Sequence, residues 1–221
     1  MTCIGEFLSS SFSVLVLAPH PDDEILGCAR LIRLAADRDC PVVIVWLTDG
    51  GASHGPLAPQ DRMRLVERRR AEAAQGLSAL GVVPTATYHL AYPDGCLIDH
   101  IDKARDLVED ICRIHAVATV VVTDKSDSHP DHRAAYALTL GLRHPRHLLS
   151  YPVSARFEGA DFAPPDDALC LEASPEDGKR SALLEHRSQM EPSAICPMTL
   201  AAIDRFCADP EYFMIVERMA S

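Results

Sequence analysis

Several features are scarce or missing in this chain, and each omission excludes something. No lysine or arginine precedes Arg30, so the start MTCIGEFLSSSFSVLVLAP lacks the basic region of a secretory signal. No run of about 18 apolar residues occurs, so no membrane span is expected. The eight cysteines form no C-x-x-C pair, and several sit inside apolar runs as small core residues. Structural disulfides are therefore not expected, and a reducing cytoplasmic location is. Neither G-x-G-x-x-G nor G-x-x-x-x-G-K-[ST] is present, which argues against nucleotide binding. Basic charge is short as well: the net charge is −11 and the only cationic block is Arg68-Arg69-Arg70. Nucleic acid, which demands a basic footprint, is not expected as a partner.

What is present is ample apolar material, 48% of 221 residues, enough for one large α/β domain, and no internal repeat or linker divides residues 1–221. Short continuous apolar runs at 13–18, 41–47, 85–92, 116–123 and 147–153 read as buried strands. Helical spacing fills 25–38, 61–80 (ending at Gly81), 99–115 (with Asp99 as its expected cap) and 131–143. This βαβαβαβαβ rhythm predicts a Rossmann-like, doubly wound, mostly parallel sheet of order 3-2-1-4-5 with helices on both faces. After residue 153 the rhythm breaks. A loop at 154–166, a strand at 167–173, helices at 175–190 and 199–207 and a strand at 212–218 make an elaborated C-terminal part.

Two clusters carry chemistry. The first is His20-Pro21-Asp22-Asp23-Glu24, after strand one; the second is His129-Pro130-Asp131-His132, after strand four. In a sheet of order 3-2-1-4-5 these strands are neighbours, and the crevice at their carboxyl ends is where such folds place ligands. Acids in a first helical turn also complement the helix dipole, so either motif alone has a structural explanation. Together they bring imidazoles and carboxylates to one point. Two imidazoles and one carboxylate make a zinc site with an open position for water, and a remaining carboxylate suits a general base. The same ligand types also suit Fe(II), so the metal is left open.

With A-H-P-D-D-E after the first strand and H-P-D-H after the fourth, the chain resembles the LmbE-like (PIG-L) zinc-dependent de-N-acetylases. Arg69-x-x-Glu72 with Leu80-Gly81-Val82, Tyr92-Pro93-Asp94-Gly95, and Lys179…Ala182…His186-x-Ser188-Gln189 are similar to further segments of that family. The resemblance implies His20, Asp23 and His132 as metal ligands and Asp22 as general base. It implies His129 as the group that stabilises the oxyanion or donates a proton, and Asp131 as the carboxylate that orients a neighbouring histidine. The implied reaction is hydrolysis of an N-acetyl group, usually on a glucosamine unit. An amidase acting on a thiol-sugar conjugate and a non-catalytic metal- or sugar-binding module remain as alternatives. Homo-oligomerisation is left open.

Weaker candidates surround these. Asp49 and His54 lie in a loop, 48–60, that leaves a strand at its carboxyl end and so face the expected substrate side. Arg69 either binds substrate or sits on a charged helix face. Asp94 has a turn-forming reason to be there, and by the resemblance also contacts a substrate hydroxyl. His186 and Gln189, one turn apart on the expected helix, either face substrate or satisfy each other. Gly51-Ala52-Ser53-His54-Gly55 matches the G-x-S-x-G pattern of a serine esterase, but that motif needs a strand-to-helix turn, and here the strand ends early and prolines follow. The segment 161–167, acidic and proline-rich, is either a lid or a surface loop.

Overall fold

A computed structural model describes residues 3–153 and 163–216. Most of the expected loop at 154–166, and the first two residues of the lid candidate at 161–167, therefore lie outside the described residues. The first five strands are β1 (Ser13–Ala18), β2 (Val42–Thr48), β3 (Ala86–Tyr92), β4 (Val117–Thr123) and β5 (His147–Tyr151). They alternate with helices α1 (Asp23–Asp37), α2 (Pro59–Ala79), α3 (Ile101–Ile114) and α4 (Pro130–Leu140). The C-terminal part adds β6 (Leu169–Leu171), α5 (Lys179–Leu184), α6 (Leu200–Ala208) and β7 (Glu211–Ile215).

Among the described residues the strands form one seven-stranded sheet of order β3-β2-β1-β4-β5-β7-β6. The expected 3-2-1-4-5 order is present and parallel throughout, and β7 joins β5 antiparallel. β1 and β2 are buried at every position, which is why they read as unbroken apolar runs rather than alternating ones. Their side chains still alternate between two cores. Val14, Val16, Ile44, Trp46 and Val121 pack against α1, α2, α5 and α6, whereas Leu15, Leu17, Val43, Val45, Val120 and Val122 pack against α3 and α4. Gly81 follows α2 at φ +77°, the left-handed position that ends a helix cheaply only with glycine.

The structure corrects three local expectations. Asp99 does not cap α3: Leu97–His100 is a 3-10 turn, and His100 occupies the cap position. The turn forms there because the Leu97 amide is held by Asp131 Oδ1 at 3.0 Å. The helix expected over 175–190 is only Lys179–Leu184, followed by a separate 3-10 turn at Arg187–Met190. His186 and Gln189 thus do not share a helix face. α1 also begins earlier than its apolar rhythm suggested, so Asp23 and Glu24 form its first turn.

Candidate metal centre

The carboxyl ends of β1 and β4 lie side by side, and the two His/Asp clusters follow them directly. Asp22 is the cap residue of α1 and His129 that of α4. His20, Asp22, Asp23, Asp131 and His132 are all buried, and the first three with His129 and His132 line a cavity of about 440 Å³.

Three donor atoms in this crevice face one another. Asp23 Oδ2 lies 3.1 Å from His20 Nδ1 and 3.3 Å from His132 Nε2, and the two imidazole nitrogens are 3.3 Å apart. Metal–ligand bonds of about 2.0–2.2 Å at tetrahedral angles place neighbouring donors on the order of 3.3 Å apart, so the set fits one small divalent ion. The His129 ring also brings a nitrogen within 4.8 Å of donors on His20 and His132. Asp23 differs from it in offering a single charged oxygen that lies within 3.3 Å of both rings.

The outer nitrogens of the two rings are fixed by carboxylates. His132 Nδ1 meets Asp127 Oδ2 at 2.8 Å. His20 Nε2 meets Asp94 Oδ1 at 3.1 Å and Asp131 Oδ2 at 3.3 Å. With those nitrogens protonated toward their carboxylates, Nδ1 of His20 and Nε2 of His132 keep lone pairs for the centre. Asp131 also receives the Gly95 amide at 2.7 Å, which ties the Pro93–Gly95 turn to α4.

The surplus of carboxylates makes the centre demand positive charge. Burial lowers the affinity of His132 for a proton, but Asp23 and Asp127 outweigh it and hold that ring's pKa up at about 9. His20 is likewise raised, with Asp131, Asp23 and Asp94 overcoming burial. The Asp23 carboxyl is lowered against its burial by the two imidazoles. Two rings that want cations, gathered on one carboxylate oxygen, are the pattern a divalent ion satisfies better than separate protons do.

Two further groups stand beside the donors. Burial pushes the Asp22 carboxyl up to about 6, while the Arg69 guanidinium pulls it down across 3.0 Å from Nη2 to Oδ2. Asp22 adopts φ +154° with ψ −26°, a backbone conformation that L residues rarely take. His129 is the opposite case. Burial, then His20 and His132, lower its ring to about 4, so it is neutral at pH 7. Its Nδ1 accepts the Asp131 amide at 3.2 Å, which leaves the ring proton on Nε2.

Of the six residues expected on the substrate side, Arg69, Asp94 and Gln189 line the cavity, and Asp49, His54 and His186 are not among its lining residues. Asp49 is occupied by Arg62 at 2.6 Å and by the Gly51 amide. His54 Nδ1 meets Ser53 Oγ at 3.1 Å. His186 is fully buried, and burial lowers its ring to about 3. Ser53 does line the cavity, but it lies in a turn between β2, which ends at Thr48, and α2, which starts at Pro59. That is not a nucleophile elbow. Asp127 was missed from the sequence, as was any role for Glu24 beyond the first cluster. Leu26, Val153, Ile195 and Cys196 give the cavity an apolar side.

The family model described as PIG-L: GlcNAc-PI de-N-acetylase matches residues 15–142, a span that contains both His/Asp clusters. The chain belongs to this family. It is 27% identical over 187 residues to a protein of Bacillus cereus named as a probable N-acetyl-alpha-D-glucosaminyl L-malate deacetylase 2, covering 80% of this chain and 84% of that one. A diacetylchitobiose deacetylase of Thermococcus kodakarensis is 27% identical over 139 residues, which is 60% of this chain and 49% of that one. In three dimensions the chain is similar to the N,N'-diacetylchitobiose deacetylase from Pyrococcus horikoshii, with a TM-score of 0.72 at 22% identity over 92% of this chain and 83% of that one. At that identity the likeness is one of fold. Among the described residues of this PIG-L family member, no helix is long and apolar enough to cross a membrane.

Proposed function

We propose that this protein hydrolyses the N-acetyl group of an N-acetylated amino sugar of the N-acetylglucosamine type, free or conjugated, in the manner of a metal-dependent amide hydrolase. The observation that carries the reading is the convergence of His20 Nδ1, Asp23 Oδ2 and His132 Nε2 within 3.3 Å of one another, with the Asp22 carboxylate held beside them. Membership of a de-N-acetylase family and the names of the curated relatives support the choice of substrate class.

His20, Asp23 and His132 would hold the ion, for which zinc suits the two-imidazole, one-carboxylate donor set and Fe(II) is the other candidate. When bound, such an ion supplies Lewis-acid charge and lowers the pKa of water to about 7. The remaining steps belong to the chain's own residues. Asp22, unprotonated above about pH 6, takes the proton of the attacking water as the new C–O bond forms. His129 presents its Nε2–H to the oxygen that becomes negative in the tetrahedral state. Asp22 then returns its proton to the nitrogen as the C–N bond breaks, releasing acetate and a free amine. Asp94 and Asp131 keep His20 in one tautomer, and Asp127 does the same for His132.

The substrate side is polar at Ser53, Asp94 and Gln189 and apolar at Leu26, Val153, Ile195 and Cys196, which suits a sugar ring with one polar and one apolar face. Acetate release from a panel of N-acetylglucosamine compounds tests the reading: free sugar, chitobiose, inositol-linked, malate-linked and lipid- or antibiotic-linked forms. Release from at least one, lost on chelation and restored by a divalent ion, is expected. No release from any by metal-loaded protein would shift the reading to a different amide or to a binding role.

A further inference from the structure

Asp22 needs more than a partner for its carboxylate, because its backbone is held in a conformation that L residues rarely adopt. Its carbonyl is engaged by the Ile25 and Leu26 amides at 3.0 and 2.9 Å, and its side chain by Arg69. Its amide is shared between the His20 carbonyl and a second acceptor, Glu24 Oε2, each at 3.0 Å. Glu24 is fully buried, and the same Oε2 accepts the Trp46 indole Nε1–H at 2.8 Å. The other oxygen, Oε1, has no hydrogen-bond partner among the described residues.

We propose that Glu24 and Trp46 are positioning residues for Asp22: the indole N–H fixes the Glu24 carboxyl, and the carboxyl fixes the backbone from which Asp22 faces the reacting centre. The inference rests on the reading of Asp22 as general base. Helix-capping glutamates commonly reach back from the third helical position. Glu24 is at the second position, buried against the sheet, and holds an aromatic N–H as well. A capping role alone does not require the cost of burying a carboxyl group.

Trp46 is itself held between neighbouring strands. On β2 it pairs with Ala18 of β1 and His89 of β3, and its ring stacks on the His89 ring with centroids 4.3 Å apart and 16° between planes. The chain of contacts therefore runs from rigid strands, through the indole N–H and Glu24 Oε2, to the amide of Asp22. A side chain held this way changes little in orientation as charge moves, which is what a base with fixed geometry needs.

The test uses Glu24→Ala, Glu24→Gln and Trp46→Phe, alone and with Asp22→Asn, in metal-loaded protein. kcat, KM and bound metal are measured for acetate release from the best substrate of the panel. The chain has a single tryptophan, so its one indole N–H resonance reports the Glu24 contact directly. Glu24→Ala is expected to lower kcat about 10-fold or more with KM and metal content unchanged, and to move the indole resonance. Glu24→Gln, which keeps an acceptor oxygen, is expected to stay within about threefold of the parent with a near-parental resonance. Trp46→Phe keeps an aromatic ring, though a smaller one, and loses the N–H, and is expected to lower kcat by about three- to 10-fold. In the Asp22→Asn background, Glu24→Ala should cost nothing further, because groups acting through one another are non-additive.

Parental kcat in folded, metal-loaded Glu24→Ala overturns the proposal, as does an equal loss from Glu24→Ala with and without Asp22. If Glu24→Ala fails to fold or loses metal, Trp46→Phe decides: an unchanged kcat overturns the proposal and a selective loss of kcat supports it. Full turnover by Asp22→Asn removes the base reading and this inference with it, whereas loss there with normal Glu24 and Trp46 variants removes this inference alone.

Discussion

Arg69 Nη2 lies 3.0 Å from Asp22 Oδ2, and both side chains are buried. The same guanidinium donates to the Gly50 carbonyl at 2.8 Å and the Pro21 carbonyl at 3.1 Å. Arg69 is thus built into the wall beside the proposed base rather than standing on an exposed helix face, and it lines the cavity with its Nε unpartnered among the described residues.

The first prediction concerns pH. Asp22 acts as a base only when unprotonated, and Arg69 lowers its pKa against the burial that raises it. Removing that charge with Arg69→Met raises the Asp22 pKa, so the acid limb of kcat/KM moves to higher pH. A move of about one unit corresponds to about 10-fold lower activity on that limb. The pH–rate profiles of parent and variant check it. An acid limb that stays put or moves down would separate Arg69 from the titration.

Asp127 gives a second prediction. It holds His132 Nδ1 at 2.8 Å and also receives the Val153 amide. Outer carboxylates of this kind set the tautomer of a liganding ring, and their loss typically costs about 10–100-fold in metal affinity. Asp127→Asn should therefore weaken metal binding by that order, read by competition with a chromogenic chelator. Asp23→Ala should abolish stoichiometric binding altogether.

Charge in the cavity leads to a third. Among the described residues lining it, Arg69 is the only arginine or lysine, and its engagement with Asp22 leaves no cation set aside for a substrate anion. Neutral conjugates of the amino sugar are therefore expected to exceed malate- or phosphate-bearing ones in kcat/KM by about 10-fold, because a buried anion without a partner is costly. A malate conjugate that is the best of the panel would contradict this.

The fourth is about stability. Lys179 Nζ and Glu211 Oε1 form a fully buried pair at 2.6 Å. Lys179 also donates to the Leu26 carbonyl, and Glu211 accepts the Arg30 amide, so the pair fastens α5 and β7 onto α1. Lys179→Met leaves a buried carboxylate unpaired and should cost about 3–5 kcal/mol by denaturant unfolding. Lys179→Met combined with Glu211→Gln should recover part of that loss. The double variant matching the single would mean that charge pairing is not what is lost.

Much of the molecule was readable before any coordinates. The order of the first five strands followed from continuous apolar runs alternating with helical spacing, because those patterns record burial on one or two faces. The convergence of His20, Asp23 and His132 followed from the same order. The 175–190 segment misled because its composition favours helix, whereas the chain is turned after Leu184 by a tertiary contact: Ser188 gives its amide and hydroxyl to Glu72. Asp99 misled for a similar reason, since Asp131 takes the Leu97 amide and builds a turn instead. The sequence offered Asp49 and His54 only by their loop position, and did not single out Asp127. Each is a loop residue whose role depends on a partner, Arg62, Ser53 or His132, that no spacing reveals.

The most direct single measurement is acetate release by Asp22→Asn in a sample whose bound metal is determined at the same time. With Asp22 as base and His20, Asp23 and His132 as ligands, the variant should hold metal like the parent and lose about 10²–10⁴-fold in turnover. Metal-loaded Asp22→Asn working near the parental rate would contradict the proposed site.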